Sequence, residues 1–300
     1  MTRDPPRADA PGLPLLAHAK LNVSLRVLAR EDSGYHSVET ILVRLELADR
    51  LWIESTPTPG IRLQVTGEHE APTDSDNLCW RAADLMRRAV GRADGVAMLL
   101  EKLVPAGAGL GGGSADAAAV LRGLNELWGR PLAHASLVRL AGELGSDVPF
   151  GLCDASMALA WERGRRMLPL QAPTPWHVAI VVPGFPIRAP DAYAWLDEDR
   201  AAGRAKGPEP AQLPFANELS DSAVLAQLAS NDLEGPVFRR HPELMGIRDS
   251  LLDLGAAVAL LCGSGSCVAG LFSDETGVDR ATRALVGREG TSIVRTRTLA

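Results

Sequence analysis

A dense run of glycines near the centre of the chain limits the fold more than any other sequence feature. Five glycines fall within Gly107–Gly113, between an apolar, strand-like segment that leads into Pro105 and an alanine-rich segment that begins at Ser114. Glycine tolerates positive φ angles and lets the backbone approach a ligand closely, so successive N–H groups can point into one concavity. Because a helix N-terminus carries partial positive charge, the segment predicts a phosphate-binding loop at the start of a helix.

Three interpretations of this loop compete. A Walker phosphate loop ends in Gly-Lys-Ser or Gly-Lys-Thr, whereas Ser114-Ala115 follows the glycines here without a lysine, which excludes it. Gly107, Gly109 and Gly112 match G-x-G-x-x-G, but a dinucleotide-binding fold needs a parallel strand after the helix, and a second helical segment follows instead. A glycine-rich turn without a ligand remains open at this point.

Net charge and apolar patterning exclude several classes of partner. The chain of 300 residues has a formal net charge of -6, which argues against nucleic acid and favours a small anionic substrate. No uninterrupted run of about 18 apolar residues occurs, so we expect no membrane span. The polar, Pro-rich start of the chain is unlike a secretory signal, so we expect a cytoplasmic protein, and further a monomer or weak homodimer. The four cysteines form no C-x-x-C pair and are expected to be buried free thiols.

The first strand places two polar side chains on one face. Residues 19–27 alternate between apolar and polar types, which is the pattern of a half-buried strand. Lys20 and Asn22 share the polar face and lie about 7 Å apart, since a strand rises roughly 3.3 Å per residue. A turn over Glu31–Gly34 follows, and Tyr35-His36 comes directly after it.

The rest of the pattern predicts an α+β chain with two domains, 1–162 and 163–300. Strands are expected near 43–47, 61–65 and 96–104. The strands at 19–27, 43–47 and 61–65 are close in sequence, which favours antiparallel pairing among these three. Asp74–Asn77 offers N-cap oxygens to a helix from Leu78, and further helices are expected over 114–128 and 134–144. The second half is expected to contain strands at 157–161 and 177–182, an insertion at 201–214, helices at 223–229 and 242–254, strands at 257–262 and 267–272, and a closing helix and strand.

Five ordered blocks of the sequence together carry a family resemblance. One is the loop Pro105-Ala-Gly-Ala-Gly-Leu-Gly-Gly-Gly-Ser-Ala-Asp-Ala-Ala, and the others are Ala19–Asn22 with Gly34–His36, Leu144–Phe150, Asn231–Glu234 and Gly263–Cys267. The loop resembles the central motif of the GHMP kinases, the group that contains galactokinase, homoserine, mevalonate and phosphomevalonate kinases. The other blocks resemble members that phosphorylate a cytidine-diphosphate-linked methylerythritol in the synthesis of isoprenoid precursors.

The resemblance implies a fold and a reaction. The fold is the two-domain GHMP kinase fold, with a ribosomal S5 domain 2-like N-terminal domain, a ferredoxin-like C-terminal domain and a nucleotide site in the cleft between them. The reaction is transfer of the γ-phosphate of ATP, with Mg²⁺, to the 2-hydroxyl of the substrate. Asp147 accepts the hydroxyl proton and Lys20 lies beside it. Phosphoryl transfer depends mainly on alignment and charge stabilisation, and an ammonium keeps a neighbouring carboxylate ionised.

The resemblance also implies binding residues. Asn77 and Lys102 lie near the adenine and ribose, and Ser114 adds a hydroxyl that can meet a phosphate or a magnesium ion. The phosphates contact the loop residues Pro105, Gly107, Ala108, Gly109, Leu110, Gly111, Gly112, Gly113 and Ser114. For the substrate, the implied residues are Asn22 and His36 as hydrogen-bond partners of the cytosine, Tyr35 and Tyr193 (alternatively Phe185) as the enclosing aromatics, and Gly265. Stacking requires only the face of the base, so the hydrogen bonds select which base binds.

Two other functions remain open from the sequence. One is a sibling GHMP kinase that acts on mevalonate, phosphomevalonate or homoserine. Gly34-Tyr35-His36 argues against it, because those substrates have no base to stack. The other is a catalytically silent sugar or nucleotide sensor on the same fold, which the intact Lys20 and Asp147 oppose.

Overall fold

The computed structural model describes residues 12–32, 34–164, 166–287 and 290–300, so the Pro-rich start of the chain lies outside the described residues. The strands are β1 Leu13–Arg30, β2 His36–Thr56, β3 Ile61–Gly67, β4 Gly95–Lys102, β5 Met157–Trp161, β6 Arg166–Leu170, β7 His177–Pro183, β8 Ser230–Asn231, β9 Val258–Leu261, β10 Val268–Phe272 and β11 Thr291–Arg297. The α-helices are α1 Leu78–Val90, α2 Gly112–Leu127, α3 His134–Leu144, α4 Ala189–Ala201, α5 Ser222–Gln227, α6 Glu234–Arg240, α7 Pro242–Asp253 and α8 Glu275–Leu285. The α+β class expected from the sequence is confirmed.

The chain forms two compact units. Of the described residues, the first unit comprises those within 12–19, 47–106 and 111–153, and the second comprises those within 20–46, 107–110 and 154–300. Each unit has a separate apolar core made largely of Leu, Val and Ala. The long strands β1 and β2 contribute residues to both units.

The sheet of the first unit corrects one expectation from the sequence. Strand β4 pairs antiparallel with β2, with Trp52 opposite Leu99, and parallel with β3, with Leu63 opposite Met98. The expectation that the first three strands pair antiparallel is therefore wrong for β3. Parallel neighbours need a crossover connection, and α1 supplies it between β3 and β4.

Helix α2 packs closely against its neighbours in the first unit. Its alanines Ala117, Ala118 and Ala119 are buried, and a Cβ atom on Gly151 would lie only 2.4 Å from the Cβ atom of Ala118. Small residues thus bring the short 3-10 helix Pro149–Leu152 against α2. The start of α2, which follows the glycine loop, is fixed by this packing.

The second unit contains a four-stranded antiparallel sheet in the order β11-β7-β10-β9. Helices follow β7, and α8 lies between β10 and β11, which gives the β-α-β-β-α-β sequence of a ferredoxin-like domain. Strand β6 and helices α4 and α6 were not expected from the sequence. Among the residues that the structure describes, none of the helices is long and apolar enough to cross a membrane.

Candidate active site

The glycine loop has the backbone conformation that an anion site requires. Gly107, Gly109 and Gly111 have φ angles of 66°, 77° and 70°, so every second residue is left-handed. Such alternation turns successive N–H groups into one concavity. Gly111 is the N-cap of α2, and the first N–H groups of a helix have no acceptor within it. Only glycine fits at position 109, where a Cβ atom would lie 1.7 Å from the carbonyl oxygen of Cys262.

A buried ionic cluster of the first unit adjoins both sides of this loop in sequence. Lys102 Nζ donates to Asp49 Oδ2 and, at 2.8 Å, to Asp116 Oδ2, while Asp49 Oδ1 accepts from the backbone N–H groups of Leu103 and Val104 at 2.6 and 2.8 Å. Burial disfavours the ammonium, but the two carboxylates outweigh it and raise the pKa of Lys102. Burial, aided by the charge of Asp49, raises the pKa of Asp116 to about 8 against the opposing effect of Lys102.

Asn77 is the N-cap residue of α1, as its position before Leu78 predicts. Its Oδ1 accepts from the backbone N–H of Cys79 at 2.8 Å, and its Nδ2 donates to the carbonyl oxygen of Pro72 at 2.7 Å. Both polar atoms of the side chain therefore have partners within the protein.

Asp147 lies in a turn between α3 and the 3-10 helix Pro149–Leu152. The backbone N–H of Val148 donates to the carbonyl oxygen of Gly145 at 3.3 Å, and Val148 and Pro149 are buried directly after the half-buried Asp147. Helix α3 ends before this segment, in agreement with the expectation from Pro149. The buried residues that follow hold the carboxylate at a defined place on the first unit.

Lys20 and Asn22 contact each other in the second unit. Lys20 Nζ donates to Asn22 Oδ1 at 2.7 Å and to the carbonyl oxygen of Gly109 at 3.1 Å, and the backbone N–H of Lys20 donates to the carbonyl oxygen of Leu110 at 2.9 Å. Asn22 Nδ2 in turn donates to Thr40 Oγ1 at 2.9 Å. Both side chains are buried, so the ammonium is held against the loop by fixed partners.

The turn Gly263–Ser266 lies against the same group of residues. A Cβ atom on Gly263 would lie 3.4 Å from Asn22 Oδ1 and 3.5 Å from Lys20 Nζ. Asn231 Nδ2 donates to the carbonyl oxygens of Leu261 and Gly263 at 3.0 and 2.7 Å and so fixes the start of this turn. Asn231 belongs to one of the sequence blocks, but only the fold reveals its partner.

The aromatic residues separate into two groups in the second unit. The rings of His36 and Tyr193 stack with centroids 5.1 Å apart, whereas Phe185 stacks on His241 at 5.0 Å. Tyr35 is 62% exposed, with the guanidinium of Arg163 4.5 Å from its ring centroid. Tyr193, rather than Phe185, therefore stacks on His36.

His36 has an acidic partner that the sequence did not indicate. Its Nε2 lies 2.8 Å from Asp197 Oδ1, and since a carboxylate only accepts, Nε2 carries a proton. Asp197 stands four residues after Tyr193 on α4, so one helix face supplies both contacts. The pairing of His36 with Asp197 could have been predicted only if α4 had been predicted, and the sequence pattern did not indicate this helix.

Comparisons with known proteins give consistent matches over most of the chain. Residues 77–160 match the family described as GHMP kinases N terminal domain, and residues 216–291 match GHMP kinases C terminal. The 4-diphosphocytidyl-2-C-methyl-D-erythritol kinase of Pelotomaculum thermopropionicum is 40% identical over 262 residues, which are 86% of this chain and 88% of that protein. The kinase of the same name from Chlorobium luteolum is 39% identical over 278 residues, 92% of this chain and 93% of that one.

Solved structures agree with these relatives. A crystal structure of 4-(cytidine 5'-diphospho)-2C-methyl-D-erythritol kinase has a TM-score of 0.78 and 36% identity, and it covers 96% of this chain and 100% of that one. The mevalonate kinase of L. major in complex with R-mevalonate has a TM-score of 0.66 at 18% identity, covering 96% of this chain and 98% of that one, which shows a shared fold alone.

Proposed function

The chain belongs to the 4-diphosphocytidyl-2-C-methyl-D-erythritol kinases, a family of GHMP kinases, and from this membership we propose how its residues carry out the reaction. The function is ATP-dependent phosphorylation of 4-diphosphocytidyl-2-C-methyl-D-erythritol in the methylerythritol phosphate route. The observation that carries it is the 40% identity to a relative of that name over 86% of the chain. The GHMP kinase fold, with its S5-like and ferredoxin-like domains, is confirmed. The proposed boundary between domains 1–162 and 163–300 falls between the two family matches.

The phosphates of ATP are proposed to bind at Gly107–Ser114. The left-handed glycines and the open N-terminus of α2 fit an anion, and a bound ATP supplies the γ-phosphoryl group. Among the described residues there is no group of three or more acidic, His or Cys side chains suited to a metal. We propose that Ser114, in the first turn of α2, and phosphate oxygens hold Mg²⁺, an ion that usually keeps few protein ligands.

Asp147 is proposed as the residue that orients the 2-hydroxyl of the substrate and accepts its proton. Lys20 is proposed to stabilise negative charge during transfer, for which its fixed position against Asn22 and Gly109 is suited. Electrostatic groups act best when their orientation does not have to change during the reaction.

The cytosine is proposed to bind beside His36, with Asn22 as a second hydrogen-bond partner. Tyr35 and Tyr193 are proposed to enclose the ring, which agrees with the stacking of Tyr193 on His36. Gly265 is proposed to line the substrate site through the turn Gly263–Ser266. Asp197 holds the His36 ring and so belongs to the same proposed site.

One assay tests the function directly. Purified full chain is incubated with MgATP and, separately, the cytidyl substrate, mevalonate and homoserine, and the products are identified by phosphorus NMR. Phosphorylation of the cytidyl compound at its 2-hydroxyl is expected. Turnover of mevalonate or homoserine alone would contradict the substrate, and no turnover of any acceptor would favour a sensor.

A further inference from the structure

Asp49, Lys102 and Asp116 form a cluster, here named the loop anchor, that fixes the chain on both sides of the glycine loop. Asp49 binds the N–H groups of Leu103 and Val104, directly before the loop begins at Pro105. Lys102 joins Asp49 to Asp116, which is the fifth residue of α2 and lies two residues after Ser114 at the end of the loop. The two ends of the loop are thereby connected through one ammonium group.

The loop anchor is buried and contains two acidic side chains but one basic side chain. Asp49, Lys102 and Asp116 are 0%, 4% and 2% exposed, and two carboxylates share one ammonium. Asp116 Oδ1 is buried without a hydrogen-bond partner among the described residues. Buried ionic groups of this kind contribute little net stability compared with apolar packing. A role in fixing the geometry of the loop accounts for the cluster better than stability does.

We propose that Lys102 and Asp116 are positioning residues for the phosphates of ATP, which hold both ends of the glycine loop so that its N–H groups converge. This proposal rests on the proposed nucleotide site at Gly107–Ser114. Lys102 then acts through the loop rather than by contact with adenine or ribose. Direct contact would draw the ammonium away from Asp49 and Asp116 and leave the buried Asp49 carboxylate without its counter-charge.

The test compares ATP with adenosine, which lacks phosphates. Asp116→Ala removes the link to α2, while Lys102 keeps Asp49 as a partner and one buried ion pair remains. In titration calorimetry we expect about tenfold weaker ATP binding, the effect of one charge-assisted hydrogen bond. Adenosine, measured by competition with a fluorescent nucleoside, should bind within twofold of the unaltered chain. Asp84→Ala, on the surface of α1, is the matched control and should change neither.

The conservative variant Asp116→Asn decides the matter if Asp116→Ala does not fold. Its amide oxygen can still accept from Lys102, so about a threefold loss confined to ATP is expected. Equal weakening of ATP and adenosine in the folded variant, or unchanged ATP binding, would overturn the proposal. ATP and adenosine binding are measured without a phosphoryl acceptor. If the cytidyl compound were not phosphorylated in the activity assay, the proposed substrate would be rejected, but the binding result for Asp116 would still hold.

Discussion

The Lys20 ammonium donates hydrogen bonds to the side-chain oxygen of Asn22 at 2.7 Å and to the carbonyl oxygen of Gly109 at 3.1 Å. One cation thus connects strand β1 with the glycine loop inside the second unit. A lysine with such partners has little freedom of movement, because its side chain is buried and both acceptors are themselves held.

Lys20→Met is expected to lower kcat about a hundredfold, the usual effect of removing one fixed electrostatic group. The Michaelis constant for ATP should change much less. Steady-state kinetics with both substrates measures this. Lys206→Met, on an exposed lysine, is the control and should keep full activity. Wild-type kcat in Lys20→Met would remove this residue from the proposed mechanism.

Asp147→Asn is expected to lower kcat by about a thousandfold, because the amide cannot accept the hydroxyl proton. ATP binding, measured by calorimetry, should stay close to that of the unaltered chain. Asp154→Asn makes the same change on an exposed carboxylate seven residues later and should be silent. A loss within about tenfold, or roughly 1.4 kcal/mol, would show that Asp147 is not the base.

Asp197→Asn is expected to raise the Michaelis constant of the cytidyl substrate several-fold and to leave that of ATP unchanged. Its carboxylate accepts from His36 Nε2, and an amide can turn its NH₂ group toward the ring and release it. His36→Ala should show the same selectivity with a larger effect. Glu198→Gln, the neighbouring residue on α4, serves as control. Equal loss for both substrates would indicate general damage to the second unit.

Gly109→Ala is expected to cost about 3 kcal/mol or more of unfolding free energy, because its Cβ atom would overlap the Cys262 carbonyl oxygen. Gly203→Ala is the control that measures the cost of backbone strain without a steric clash. Gly203 also has a positive φ, 69°, yet no atom lies within 4 Å of its added Cβ, so a cost of about 1 kcal/mol is expected. Urea denaturation of both variants gives the comparison, and equal costs would contradict the overlap.

The unfolding free energy is expected to fall as pH rises from about 4 to about 8 because of Asp116. Its pKa is raised from 3.8 to about 8, so the folded chain holds this proton more tightly than the unfolded chain, and stability is lost as pH rises between the two values. The groups that surround it are Lys102, Asp49 and Cys79. The unfolding free energies of Asp116→Asn and of the unaltered chain are measured in urea at pH 5 and at pH 8. The unaltered chain should lose stability between these pH values, so the variant should be more stable relative to it at pH 8 than at pH 5. A constant difference would contradict the raised pKa.

Local periodicity was sufficient for part of the site. Lys20 and Asn22 share a strand face because the side-chain period of a strand is two. The helix after the glycine loop was predictable because the segment from Ser114 is rich in alanine, the residue with the highest helix propensity. Contacts between distant segments were not predictable in this way. His36 and Asp197 are separated by 161 positions and Lys102 and Asp49 by 53, and neither pair shares an element. The partner of His36 also depended on α4, whose mixed apolar and charged residues give no clear helical stripe.

The tyrosines beside His36 give the protein a built-in reporter for magnetic resonance. The chain contains two tyrosines, Tyr35 and Tyr193. One is exposed beneath the Arg163 guanidinium, and the other stacks on His36. A sample labelled only at tyrosine would therefore give two sets of ring signals, both from the proposed cytosine site, and entry of a base could be followed there without any engineered probe.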